Sequence, residues 1–207
     1  MGFSEIYMHY LNTLQKIGEI KYVHNVDDVS FSAPVCTFTG HRPAKLPFHG
    51  ESDPSCLRLR AAIGEAVEES YRLGYRNYLC GMALGVDTWA AMEVLRLKYF
   101  YDDIKLFAAI PYMNQSYGWY GWERDRYEDI LKLCERVYVV CQEPSRRAPI
   151  IRDAFMVNHA SRIIAVYDGS PKGGTAVTVG MAKRKNLDMV TLNPRDFLPN
   201  IKTPFDN

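Results

Sequence analysis

Net charge is what this chain most lacks: 25 lysines and arginines against 24 acidic residues leave a formal +1. A field that weak excludes sequence-independent attraction to nucleic acid or to an anionic membrane as the organising principle, so any basic site has to be local. Long apolar runs are absent too. No stretch approaches the ~20 residues that cross a bilayer, and the first residues do not pair a basic region with an uninterrupted apolar one. No membrane partner is expected. Cysteine is sparse, five in 207 residues, with no Cys-x-x-Cys pair and no His, Cys or carboxylate cluster at ligand spacing. This argues against a disulfide framework and a metal site and points to a reduced, cytoplasmic protein. Repeats and low-complexity tracts are missing as well.

What is present is a 47% hydrophobic chain, long enough for one α/β domain. Runs rich in Val, Ile and aromatics recur as "VCTFTG", "NYLCG", "KLFAAIP", "RVYVVC", "RIIAVYD" and "DMVTLN". Most are continuously apolar, as in strands buried on both faces of a parallel sheet. Between them lie helical spacings, such as Leu59, Ile63, Val67 and Tyr71, closed by Gly74, and Val86, Ala90, Val94 and Leu97. The alternation predicts a Rossmann-like, doubly wound, mainly parallel sheet of about six or seven strands with helices on both faces. The expected division is an N-terminal helical extension and linker over residues 1–34, a Rossmann-like domain over 35–193 and an irregular tail over 194–207. In the extension, Phe3, Tyr7, Tyr10, Leu14 and Ile17 have helical spacing. That predicts a helix packed on the outside of its own domain, with a homo-oligomer contact or a lid as the alternatives.

In a doubly wound sheet, ligands bind outside the carboxyl ends of the strands, so the strand-end sequences carry the chemistry. The first run ends in "TFTGHRPAKLP". Gly40 permits a turn, Thr39 and His41 can donate hydrogen bonds, and Arg42 offers a planar fork for phosphate or carboxylate. Pro43 and Pro47 predict an extended, rigid loop after it. The structural alternative is an ion pair for Arg42 and a backbone bond for His41. The second run ends in "CGMALGVDTWAA", placing Gly81, Met82, Ala83 and Gly85 at a strand-to-helix turn whose free N–H groups favour an anion. Asp87 also satisfies a helix N-terminus and repels a phosphate beside it, so it is expected to cap backbone or hold a ribose hydroxyl. Neither Gly-x-Gly-x-x-Gly nor a P-loop is present, which disfavours a standard dinucleotide dehydrogenase and a nucleoside triphosphatase. The stretch "RIIAVYDGSPKGGTA" adds Asp168, Gly169, Gly173, Gly174 and Thr175. Its two adjacent glycines predict close passage of the backbone by a phosphate, with Thr175 donating from a helix N-terminus and Asp168 shaping the turn or meeting a ribose.

Taken together, "GMALGVD", "TGHRPAKLP" and "DGSPKGGTA" resemble the YpsA-like branch of the SLOG superfamily, which includes DprA and the Lonely Guy proteins. The first is similar to the Gly-x-Ala-x-Gly-Ile-Asp signature of DprA, and the likeness runs from about residue 35 to about residue 192. It implies a Rossmann-like fold and a nucleotide or nucleotide-derived ligand. The stretch "IPYMNQSYGW" resembles that branch's Ile-Pro-Phe-x-x-Gln-x-x-x-Trp pattern, which implies base recognition by Gln115 and stacking by Trp119. The alternative is that Trp119, Tyr120 and Trp122 roof the core. Arg152 stands where the family has an arginine. In Lonely Guy enzymes that arginine acts with a glutamate just after a Gly-Thr, where this chain has Val177 and Thr178. Phosphoribohydrolase chemistry is therefore disfavoured, and Asp87, Asp153 or Asp168 would have to supply the carboxylate.

The leading expectation is a pocket for a small nucleotide ligand, a mononucleotide or an ADP-ribose-like species, used in sensing or regulation. No cofactor is required by the sequence. The second is a hydrolase of a nucleotide or nucleoside bond using Asp87 or Asp153 with Arg42 and Arg152. The third and weakest is a DprA-like binder of single-stranded DNA, encouraged only by Arg146-Arg147 and Lys183-Arg184-Lys185.

Overall fold

Each of the six apolar runs is a strand in the computed structural model, which describes residues 19–199. The expected helix over Phe3 to Ile17, and with it the lid and oligomer expectations, lies outside the described residues. A seventh strand, β1 (Tyr22–Val23), precedes β2 (Val35–Gly40), β3 (Asn77–Cys80), β4 (Lys105–Ile110), β5 (Arg136–Val139), β6 (Arg162–Val166) and β7 (Asp188–Leu192). All pairings are parallel, in the order β1-β5-β4-β3-β2-β6-β7. From β2 the chain winds outward through β3, β4 and β5, then crosses back to lay β6 on the other side of β2. Strand order reverses between β2 and β6, which opens a crevice at their carboxyl ends.

Five helices fill the crossovers: α1 (Pro54–Arg72), α2 (Val86–Lys98), α3 (Gly121–Leu133), α4 (Ala148–His159) and α5 (Gly174–Arg184). Alternate strand residues face opposite layers. Cys36, Phe38, Tyr78, Cys80, Leu106, Ala108 and Ile110 join the layer of α1, α2 and α3, whereas Val35, Leu79, Phe107, Ala109 and Ile163 join that of α4 and α5. The helical spacing read from α1 buries Leu59, Ile63 and Val67 completely. Each such side chain contributes about 1.5–3 kcal/mol. Asp53 caps α1 by accepting the Ser55 N–H at 2.8 Å, and Gly74, at φ +95°, turns the chain out of it.

Three expectations are corrected. The polar stretch before β2 is not a plain linker: Tyr22–Val23 pairs with the β5 edge, and Val26, Val29 and Phe31 pack over the α4 and α5 face. The loop after Arg42 is not extended throughout, because Pro43–Lys45 forms one 3-10 turn with proline at its first position, where the fixed φ suits a helix. Arg42 and Leu46, each preceding a proline, are extended as expected. Past β7, Pro194–Phe197 forms another 3-10 turn, and Arg58 of α1 donates to the Phe197 carbonyl at 2.6 Å.

Candidate functional site

At the crevice between β2 and β6 lies a cavity of about 170 Å³. The end of β2 (Phe38, Thr39, Gly40) forms its floor, and the following turn supplies His41, Arg42 and Lys45. The start of α2 supplies Ala83 and Asp87, α4 supplies Pro149, Arg152 and Asp153, and the start of α5 supplies Gly173, Gly174 and Thr175. Four separated segments thus meet where the topology predicts a ligand. A second hollow, about 500 Å³, lies at the opposite ends of β3, β4 and β5 beneath residues 23–32 and has no helix N-terminus in its lining.

One wall is occupied by the protein's own charges. Arg152 is buried; its Nε donates to Asp153 Oδ1 at 2.8 Å, its Nη1 lies 3.7 Å from Asp87 Oδ2, and Nη1 also donates to the Gly81 carbonyl. Asp87 Oδ2 accepts the N–H of Ala83, ahead of the helix, at 3.2 Å; Gly85 caps α2 without a side-chain bond, and Asp87 places a carboxylate in the first turn that repels a further anion. Burial pushes the Asp87 carboxyl above its ordinary range; Arg152 opposes that rise and Asp153 adds to it. The glycines here answer to packing. A Cβ on Gly81 would lie 2.6 Å from Asp87 Oδ2 and collide with the Arg152 guanidinium, one on Gly40 would lie 2.5 Å from Val86, and one on Gly85 would lie 2.8 Å from Pro43. Met82, fully buried at φ +57°, takes a left-handed conformation, and Gln115 Nε2 braces it by donating to its carbonyl at 2.9 Å.

The other wall is open. Gly173 caps α5 with no side-chain partner, and no acidic residue stands in the first turn of that helix. A Cβ on Gly174 would meet nothing within 4 Å, and one on Gly173 only Lys45 Nζ at 3.6 Å. The first N–H groups of α5 therefore point their partial positive charge into free space. Arg42 and Lys45 flank them, and neither has an ion-pair partner among the described residues. Behind Thr175, His41 spans two neighbours: Nε2 lies 3.2 Å from Asp168 Oδ1 and Nδ1 lies 3.4 Å from Thr175 Oγ1.

Ten of the ligand residues expected from sequence line the cavity, whereas Gly81, Met82, Gly85, Gln115, Trp119, Asp168 and Gly169 lie outside its lining. Asp168 does not line the cavity; it accepts the Ser170 N–H at 3.0 Å and supports His41, while Gly169, at φ +85°, turns the loop. Hydrogen bonds from Ser170, then His41, hold the Asp168 carboxyl down at about 2. Gln115 braces Met82 and Trp119 packs edge-on against Tyr127 at 5.2 Å, so neither faces the cavity, whereas Tyr120 and Trp122 are exposed and roof nothing. Lys45 and Pro149 were not singled out by sequence. Lys45 had a readable signal, since it stands three residues after Arg42 at a proline-initiated turn, and such residues eclipse on a 3-10 helix.

Comparison with known proteins agrees with this architecture. Residues 36–196 match the family described as the YspA SLOG family. The chain is similar to a UPF0398 protein of Bacillus thuringiensis, with 26% identity over 153 residues, covering 73% of this chain and 83% of that one. A UPF0398 protein of Brevibacillus brevis is likewise 26% identical over 164 residues, covering 76% and 87%. Among solved structures, DNA processing protein A from Helicobacter pylori, described for its single-stranded DNA binding mode, superposes with a TM-score of 0.54. The two are 15% identical, and the match covers 80% of this chain and 70% of that one. At that identity the likeness establishes the fold.

Proposed function

Since the chain belongs to the YspA SLOG family, we propose that the cleft between β2 and β6 binds the phosphate-bearing end of a nucleotide or nucleotide-derived small molecule, in a sensing or regulatory role. One observation carries this: the N-terminus of α5, without a side-chain cap and cleared of side chains by Gly173 and Gly174, faces Arg42 and Lys45, two cations with no ion-pair partner among the described residues. Helix N-terminal N–H groups with adjacent cations recognise anions. The enclosed volume of about 170 Å³ falls below the ~300 Å³ lower range of pockets that take a whole drug-sized ligand. A phosphate and part of a sugar would enter while the base lies outside. Five free thiols support a reducing, cytoplasmic setting. A thermal-shift series with AMP, ADP and ADP-ribose tests the proposal: at a hundred times Kd a ligand adds about 2.7 kcal/mol. Loss of that shift in Arg42→Ala and Gly174→Val supports the cleft; a shift that survives both refutes it.

A second reading, hydrolysis of a nucleotide bond, is favoured by one contact. Thr178, one of the two residues that stand where Lonely Guy enzymes place their glutamate, donates to Asp153 Oδ2 at 2.8 Å, so α4 brings a carboxylate to that region from another helix. It predicts base or ribose phosphate released from AMP, with Asp153→Asn losing turnover more than binding. Single-stranded DNA binding is weaker still, because the two basic clusters sit at opposite ends of the fold. Arg146-Arg147 precedes α4 at the cleft end, whereas Lys183-Arg184-Lys185 closes the 11-residue α5. That helix separates them by about 16 Å along its axis. DNA binding would appear as affinity that falls steeply with salt.

A further inference from the structure

His41 makes contacts that together fix where its proton sits. The imidazole is nine-tenths buried, with both ring nitrogens engaged. Asp168, on the Nε2 side, is an acceptor only: its carboxyl titrates at about 2, and the same Oδ1 already takes the Ser170 N–H. A contact of 3.2 Å between Nε2 and Oδ1 thus requires the proton on Nε2. In the neutral ring, Nδ1 is then a lone pair, and the single hydroxyl proton of Thr175, 3.4 Å away, is drawn to it. The free cleft is left with a conflict. Thr175 stands in the first turn of α5, where a phosphate needs donors, yet its hydroxyl presents lone pairs to the cleft.

Protonation of His41 resolves it. A proton from solvent on Nδ1 makes that nitrogen a donor to Thr175 Oγ1, and the threonine hydroxyl turns its own proton toward the anion. We infer that anion binding in this cleft takes up one proton at His41, relayed to the anion through Thr175. No covalent bond forms or breaks; one proton leaves bulk water and one hydrogen bond reverses direction. The inference rests on the proposed anion site. Charged groups of both signs face His41 and oppose one another. Asp168 favours the imidazolium; its other oxygen lies 3.9 Å from Arg195 Nε, which weakens that pull. Arg42 and Lys45 disfavour the imidazolium from the β2 turn, and Asp87 and Asp153 face the same cleft and favour it, though Arg152 offsets them. The Tyr167 ring, with its centroid 6.2 Å away, adds no charge. A bound anion tips this balance toward the charged ring, and its affinity falls with rising pH by up to about tenfold per unit.

Isothermal titration of the whole protein with AMP at pH 8 tests this. The AMP phosphate, whose second ionisation is near pH ~6, is then already dianionic. The heat is measured in buffers of different ionisation enthalpy, and its dependence on the buffer gives the protons exchanged. The expected result is net proton uptake, up to one per AMP, by the wild type. In His41→Gln and Thr175→Val the expected result is weaker binding with uptake near zero. AMP binding without proton uptake, or uptake that persists in His41→Gln, overturns the inference and leaves the anion site standing. No AMP binding at all removes the site and the inference with it. Nitrogen-15 NMR of the imidazole gives a check that needs no ligand: the free protein must show His41 protonated on Nε2, and a ring protonated on Nδ1 overturns the relay outright.

Discussion

Two glycine-rich strand-to-helix turns face each other across the cleft, and they read alike in sequence while doing opposite work. At the start of α2, Gly81 and Gly85 exist because protein atoms fill the space a Cβ would need, and Asp87 places a carboxylate in the first turn. At the start of α5, the space beside Gly174 is empty and no carboxylate stands in the first turn. A glycine at a helix N-terminus thus has two physical meanings, close packing and open access, and only the second leaves room for a ligand. The family's glycine signature covers both turns without distinguishing them.

The sharpest way to break the comparison is to add one methyl group to each turn. Gly81→Ala displaces Arg152 from the buried Asp87 and the partly buried Asp153, and breaking a buried ion pair costs about 3–5 kcal/mol. Urea unfolding should register that loss, whereas Gly174→Ala should leave stability unchanged or raise it by up to about 1 kcal/mol through helix propensity. Equal losses at both positions would erase the distinction. Next in size, Gly174→Val should remove the roughly 2.7 kcal/mol of stabilisation that saturating AMP gives the wild type, with little change in the unliganded melt. Arg42 is exposed and has no ion-pair partner among the described residues, so Arg42→Ala should weaken AMP by about 2 kcal/mol, or about 30-fold, in a titration while unfolding is unaltered.

The smallest effect concerns acid. Asp168, with its carboxyl held down at about 2, contributes stability that is present above the ordinary carboxylate range and lost as pH falls through about 2. Asp87, pushed up by burial, contributes in the opposite sense: its part is present at low pH and lost as pH rises through its raised value. Asp168→Asn should therefore flatten the acid limb of a stability curve. Asp87→Asn should remove the opposing slope, and urea midpoints measured from pH 2 to pH 6 check both.

The strands and crossovers were legible because buried parallel strands need unbroken apolar runs and their helices need a repeating apolar face. Tyr22–Val23 was not, because a two-residue strand has no periodicity of its own; the β5 edge holds it in place. Val26, Val29 and Phe31 escaped for the same reason, being apolar residues scattered among polar ones that cover a layer formed by residues far along the chain. In the site, the residues of the three glycine-bearing stretches were readable as a set. What sequence could not supply was partnership. Nothing local says that the Arg152 guanidinium is committed to two carboxylates and a carbonyl, or that Asp168 turns away from the cleft to hold His41. Gln115 and Trp119 sit at family-like positions, but bracing Met82 and packing on Tyr127 point them elsewhere.

The most direct measurement is the map of backbone amide shifts as AMP is titrated into nitrogen-15-labelled protein. Open access at α5 predicts the largest saturable shifts at Gly173, Gly174 and Thr175, with Arg42 following and the amides of Ala83 to Asp87 nearly still. Shifts centred on Ala83 to Asp87, with the α5 turn silent, would contradict the assignment of the two turns and return the anion site to the start of α2.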